Sequence, residues 1–140
     1  MFDKYDDLYM DLAIRAAEMS YSNRKKVGGL LVKDKNVIST GWNGTPTGWD
    51  NKCEDEFGNT LPIVIHTEQN LIAKCARAGI STAGATMYIT LSPCYDCAKI
   101  IIQSMIIRVI YKELYRISDA VDFLKQAGIE VVQYSKEIRQ

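Results

Sequence analysis

The chain has 140 residues, 47% hydrophobic and 24% charged, with 17 basic side chains against 17 acidic ones. That length suits one domain able to bury a core. A net charge of zero argues against a polynucleotide-binding surface, which carries an excess of Lys and Arg. Residues 1–7 are charged with no apolar stretch behind them, which argues against a signal peptide. The longest apolar run, residues 100–110, is broken by Gln103, Ser104 and Arg108 and is not expected to span a membrane. A cytoplasmic protein is expected. In that reducing compartment Cys53, Cys75, Cys94 and Cys97 point to metal binding or catalysis before disulfides.

Leu8, Leu12, Ala16 and Met19 recur at helical spacing and predict an amphipathic first helix over residues 5–21. Residues 27–32 and 36–42 read as two strands joined by a tight turn at Lys33–Asn36. Residues 43–62 form a long loop rich in Gly, Pro, Asn and Asp, a kind that is usually functional or disordered. Helical spacing returns over 66–78 and stops at Gly79, a C-cap. A strand follows at 86–91, and Pro93 opens a third helix running to about Met105. Residues 107–111 read as a strand, 118–127 as a helix with Ser118 as N-cap, and 129–133 as a last strand. Alternating strands and helices imply right-handed crossovers between parallel strands. The expected fold is therefore a three-layer α/β/α domain with a mixed five-stranded sheet, an antiparallel hairpin leading into a parallel segment.

The residues that carry chemistry are His66-Thr67-Glu68 and Pro93-Cys94-Tyr95-Asp96-Cys97. A catalytic Zn²⁺ site takes three protein ligands and keeps its fourth position open. Cys94 and Cys97, three apart on the first turn of a helix, face the same side, and the positive helix end favours thiolate. His66 is the third ligand. Glu68, two residues on, is better placed to shuttle protons than to bind metal. A structural zinc site would normally close with a fourth Cys or His, and His66 is the only histidine. Cys75 falls mid-helix on an apolar face and reads as a core residue. Cys53, in the long loop, is a weak candidate for a second metal.

The H-x-E and P-C-x-x-C pair is the pattern of zinc nucleobase deaminases, and here the chain resembles the cytidine and deoxycytidylate deaminase superfamily over nearly its whole length. The resemblance rests on Val27-Gly-Gly, residues 41–48 (Gly-Trp-Asn-Gly-Thr-Pro-Thr-Gly), residues 66–70 (His-Thr-Glu-Gln-Asn) and residues 90–98 (Thr-Leu-Ser-Pro-Cys-Tyr-Asp-Cys-Ala). The 41–48 segment and the acidic loop after it resemble the branch acting on deoxycytidylate (dCMP). The resemblance implies hydrolytic deamination of dCMP to dUMP, with Zn²⁺ on His66, Cys94 and Cys97 and with Glu68 moving the protons. It implies that Asn43 contacts the sugar 3′-hydroxyl, that Ser22, Arg24 and Lys26 hold the 5′-phosphate, and that Tyr115 touches that phosphate. On their own, residues 22–26 are an ordinary solvated turn and Asn43 is a turn former. Backbone groups near Ser92 and Thr67 are expected to position the leaving amine. Thr67 stands where the family usually has Ala, so its hydroxyl is expected to tune the pyrimidine pocket.

The resemblance further implies a homo-oligomer, commonly a hexamer, activated by dCTP and inhibited by dTTP. Lys26, Gly28, Asn43 and Arg77 would line the effector site, with a divalent ion such as Mg²⁺ on the triphosphate. A deaminase of transfer RNA or single-stranded DNA shares the zinc motif but needs a basic, aromatic-lined channel. The neutral charge and the acidic residues in 50–56 oppose that alternative. A zinc-stabilised binding module is the other alternative, and it has no use for Glu68.

Overall fold

The computed structural model describes residues 2–116 and 118–136. Helix α1 (Lys4–Ala17) begins at Asp3, whose carboxylate accepts from the N–H groups of Tyr5 and Asp6, each at 2.9 Å. Asp6 reciprocates by accepting the Asp3 N–H at 3.0 Å, completing a capping box. The helix ends at Ala17 and not at Tyr21. Beyond it Ser20 donates to the carbonyl of Asn43 at 2.8 Å and accepts the N–H of Ser22 at 3.1 Å. Such side-chain bonds offer the backbone an alternative to helix, and the chain turns here toward the site.

Strands β1 (Gly28–Lys33), β2 (Asn36–Trp42), β3 (Thr86–Leu91), β4 (Arg108–Glu113) and β5 (Glu130–Gln133) form one sheet in the order β2-β1-β3-β4-β5. β1 runs antiparallel to β2 and β3, while β3, β4 and β5 are parallel, as expected for the mixed sheet. The β1–β2 turn places Asp34 and Lys35 at positive φ, 52° and 64°, the pattern of a type I′ hairpin.

Side chains alternate across the sheet, so β1, β3 and β4 each feed two cores. Leu30, Val32, Tyr88 and Ile110 meet Phe2, Tyr9, Met10 and Ala13 of the N-terminal segment and α1. Leu31, Met87, Ile89, Val109, Tyr111 and Val131 pack on the opposite face. There they meet α2 (Thr67–Ala78), α3 (Tyr95–Gln103) and α4 (Asp119–Gln126). This gives three layers. Ser118 holds the N-cap position of α4, but its hydroxyl turns to Asp122 at 3.4 Å and caps no backbone N–H.

Among the glycines, Gly28 leaves the least room for a side chain. A Cβ there would lie 2.3 Å from the carbonyl oxygen of Ala13 and from the amide nitrogen of Ala17, both backbone atoms of α1. Gly28→Ala is therefore expected to push α1 off the sheet and cost about 3 kcal/mol or more. Equilibrium urea unfolding checks this; a loss under about 1 kcal/mol would show that the helix shifts freely.

The long loop is not structureless. Gly44 and Ile65 exchange backbone hydrogen bonds of 3.1 and 2.7 Å and close its ends. Inside it, Leu61 N–H reaches the carbonyl of Cys53 at 2.8 Å and Asp55 N–H reaches that of Asn59 at 2.9 Å. The Asp55 side chain accepts the N–H groups of Phe57 and Asn59 at 2.9 Å each, so residues 53–61 form a small pinned hairpin. Among the described residues no helix is long and apolar enough to cross a membrane.

Candidate active site

Two helix N-termini meet beyond the carboxyl end of β3. His66 is the N-cap of α2 and Cys94 the N-cap of α3, with Cys97 one turn into α3. Pro93 lies just outside α3 and does not open it: the helix begins two residues later, at Tyr95. The Nδ1 atom of His66 lies 3.6 Å from Cys94 Sγ and 3.4 Å from Cys97 Sγ. Zn–S bonds of about 2.3 Å and Zn–N bonds of about 2.0–2.1 Å put tetrahedral N and S ligands about 3.6 Å apart. The triad therefore has the donor set and the spacing for Zn²⁺. It is the one group of three metal-ligating side chains found among the described residues.

The two thiols are driven in opposite directions. Cys94 is pulled down to about 4, first by the hydrogen bond from Cys97 and next by His66. Cys97 is pushed up by the same Cys94 contact and by burial, so the pair holds one proton until a cation arrives. His66 is raised, chiefly by its hydrogen bond with Cys94. The main chain is held too: His66 N–H donates to Gln69 Oε1 at 2.8 Å.

Glu68 sits in the first turn of α2 and is 5% exposed. Burial pushes its carboxyl up to about 7; a backbone N–H lowers it, Cys94 raises it and His66 lowers it. A carboxyl poised near neutrality can both give and take a proton, which suits general acid–base work.

A cavity of about 540 Å³ opens over these groups. Buried Thr67, Glu68 and Ser92 line it, as do His66 and Cys94, while exposed Arg24, Lys25 and Arg116 stand at its edge. Ser22, Asn43 and Tyr115 also line it, so of the residues the sequence assigned to zinc, catalysis or substrate all fall there except Cys97, which is buried, and Lys26, which is exposed away from it. Several are committed to other partners. Thr67 Oγ1 donates to the carbonyl of Val27 at 2.9 Å. Asn43 Oδ1 accepts the N–H of Val27 at 3.0 Å, and its Nδ2 donates to the carbonyl of Lys25 at 2.8 Å. Ser22 Oγ donates to Glu54 at 2.9 Å. Ser92 Oγ accepts the N–H of Tyr115 at 2.6 Å, tying the approach to α3 to the end of β4.

Lys26, Gly28 and Arg77 do not line this cavity: Lys26 and Arg77 are exposed and Gly28 is buried under α1. Cys75 is fully buried, as a core residue should be. Cys53 is buried as well, its thiol 3.4 Å from the carbonyl of Asn51. The sequence reading missed Lys25, Thr60, Val64, Glu113 and Arg116, which also line the cavity. Lys25 and Arg116 adjoin residues already singled out, and that adjacency was the available signal. Thr60 and Val64 arrive through the fold of the long loop and carry no local pattern.

A His/Cys/Cys triad with a buried carboxylate beside a cavity defines a zinc-type hydrolytic centre with room for a small substrate. The family model for the cytidine and deoxycytidylate deaminase zinc-binding region matches residues 3–113, and the chain belongs to that family. The deoxycytidylate deaminase of Enterobacteria phage T4 is 36% identical over 155 aligned positions, covering 80% of each chain. That of Mycobacterium phage D29 is 34% identical, covering 76% of this chain and 93% of its own. Among solved structures, the dCMP deaminase of cyanophage S-TIM5, in complex with dCMP and dUMP, superposes with a TM-score of 0.92. It is 41% identical and covers 96% of this chain and 99% of its own. The chain is thus a deaminase with the mixed α/β architecture that its sequence led us to expect.

Proposed function

We propose that the chain converts dCMP and water into dUMP and ammonia. The observation that carries this reading is one cavity lined by Glu68 and by His66 and Cys94 of the His66/Cys94/Cys97 triad, with exposed Arg24 and Arg116, and Lys25 paired with Glu113, at its edge. The relatives named deoxycytidylate deaminase and the neighbour solved with dCMP and dUMP support the same substrate.

Zn²⁺ bound by His66, Cys94 and Cys97 would lower the pKa of a water from about 16 to about 7, supplying the nucleophile at neutral pH. Glu68 carries the protons: one to N3 of the pyrimidine as water attacks C4, and one to the departing amine. Thr67 and Asn43 act mainly through the wall of the cavity, since both tie the 25–27 segment to it. One Nδ2 hydrogen of Asn43 remains for the sugar 3′-hydroxyl. Arg24 and Arg116 offer the positive charge for a 5′-phosphate, with Tyr115 and the Lys25–Glu113 pair beside them. Ser92 and the Thr67 backbone border the leaving amine.

Regulation belongs to the same proposal: dCTP with Mg²⁺ activates, dTTP inhibits, and the working form is a homohexamer. Exposed Lys26 and Arg77, with Gly28 and Asn43, contribute to the effector site across subunits. The test incubates zinc-loaded protein with dCMP, with or without dCTP and Mg²⁺ or dTTP. Equimolar dUMP and ammonia are expected, faster with dCTP and slower with dTTP. No ammonia from dCMP at full zinc occupancy would contradict the substrate; turnover indifferent to both triphosphates would contradict the regulation.

A further inference from the structure

The loop after α1 is folded around a single oxygen. Glu54 Oε2 accepts from Ser22 Oγ at 2.9 Å, from Asn23 N–H at 3.1 Å and from Arg24 N–H at 3.3 Å. Successive N–H groups and a hydroxyl converging on one point form an anion-binding nest, here filled by the protein's own carboxylate. No ion pair to Glu54 occurs among the described residues, so the nest is its counterpart. Ser22 is only 3% exposed and spends its proton on this contact, which takes its hydroxyl away from the phosphate role expected of it.

Glu54 sits on the pinned 53–61 hairpin, and across that hairpin its backbone pairs with Thr60, a lining residue of the cavity. Ser22, Arg24 and Lys25 line the same cavity from the other side. One carboxylate thus clamps two walls of the cavity together and sets the backbone from which Arg24 projects. Charge-assisted hydrogen bonds of this kind are roughly twice as strong as neutral ones, which suits a clamp.

We propose that Glu54 is a positioning residue for substrate phosphate: it touches no substrate, but its carboxylate shapes residues 22–24 so that the Arg24 guanidinium faces the 5′-phosphate. This rests on the dCMP reading above. The prediction is selective, because losing the clamp affects the phosphate end and leaves the zinc end intact.

The test measures Glu54→Ala and Glu54→Gln as zinc-loaded full chains. KM and kcat are read for dCMP, and deoxycytidine, which lacks the phosphate, is read as a competitive inhibitor. Glu54→Ala is expected to raise KM for dCMP about tenfold, with kcat and the deoxycytidine inhibition constant within about twofold of the parent. Glu54→Gln, whose amide oxygen accepts the same three donors without charge, is expected to recover most of that loss. If the alanine variant does not fold, the glutamine variant decides alone, through a smaller rise in KM confined to dCMP. Equal weakening of dCMP and deoxycytidine would overturn the proposal and make Glu54 a general structural residue. A lower KM for dCMP would overturn it too, since the nest would then be a phosphate seat that Glu54 blocks. Failure of the parent protein to process dCMP at all would mark failure of the substrate assignment instead.

Discussion

Glu68→Gln is expected to lower turnover by about 10²–10⁴-fold while leaving zinc content and thermal stability nearly unchanged. Gln keeps the size of the buried side chain and its ability to accept a hydrogen bond, but it cannot carry a proton. Glu68 is held in the first turn of α2, two residues from the metal-ligating His66, and burial keeps its carboxyl near neutrality. Substitution removes a charge from a buried position, so no folding penalty is expected from desolvation. Steady-state kinetics with metal analysis of the same sample checks this. A variant retaining a tenth or more of the parent rate would take the proton shuttle away from Glu68. Loss of zinc in parallel with activity would make the carboxylate a structural support of the triad.

The largest expected loss of stability lies away from the site. Asp6 accepts from Tyr88 Oη at 2.6 Å and from Arg108 at 3.1 Å, and Arg108 also pairs with Glu130 at 3.0 Å. This network joins α1 to β3, β4 and β5. Asp6 is 4% exposed, so Asp6→Ala strands a buried tyrosine hydroxyl and half of the Arg108 charge, and it opens the α1 capping box. Breaking a buried pair in this way costs about 3–5 kcal/mol. Chemical denaturation measures it; a cost near that of an exposed pair, under about 1 kcal/mol, would mean that water already solvates Asp6.

The same carboxyl gives a pH signature. Burial raises its pKa, but hydrogen bonds from Tyr88 and the Asp3 backbone, together with Arg108, outweigh that and hold it below the usual value. A depressed carboxyl stabilises the fold fully above its unfolded pKa of about 3.9, and that contribution is lost as pH falls through the folded value. Thermal melts of the parent are expected to fall below about pH 4, and Asp6→Asn is expected to flatten that decline. An unchanged slope in the variant would assign acid lability to other carboxylates.

The elements were legible in the sequence wherever a local pattern decides them. His66, Glu68, Cys94 and Cys97 announce their chemistry by spacing alone, and the short continuous apolar runs of β3 and β4 follow from burial on both faces of the sheet. Helix α1 was overextended because Met19 keeps the apolar rhythm, although Ser20 trades helical bonds for contacts with Asn43 and Ser22. The loop at 43–65 hid more. Its Gly, Pro, Asn and Asp content says only that regular structure is absent, whereas its order comes from the Gly44–Ile65 closure and the Asp55 side chain. Glu54 and Thr60 were invisible for that reason, since their partners lie across the fold. The partners of Thr67 and Asn43 show a similar limit: a residue type tells what it can bond, and only packing tells which partner it finds.

The most direct test of the central claim is kcat/KM for dCMP against a short cytosine-containing oligonucleotide, followed by ultraviolet absorbance with zinc-loaded protein. Efficient turnover of dCMP and none of the oligonucleotide is expected, because the cavity offers cations for one phosphate and the chain as a whole carries no net positive charge. Turnover of the oligonucleotide with dCMP untouched would keep the zinc chemistry and contradict the mononucleotide assignment.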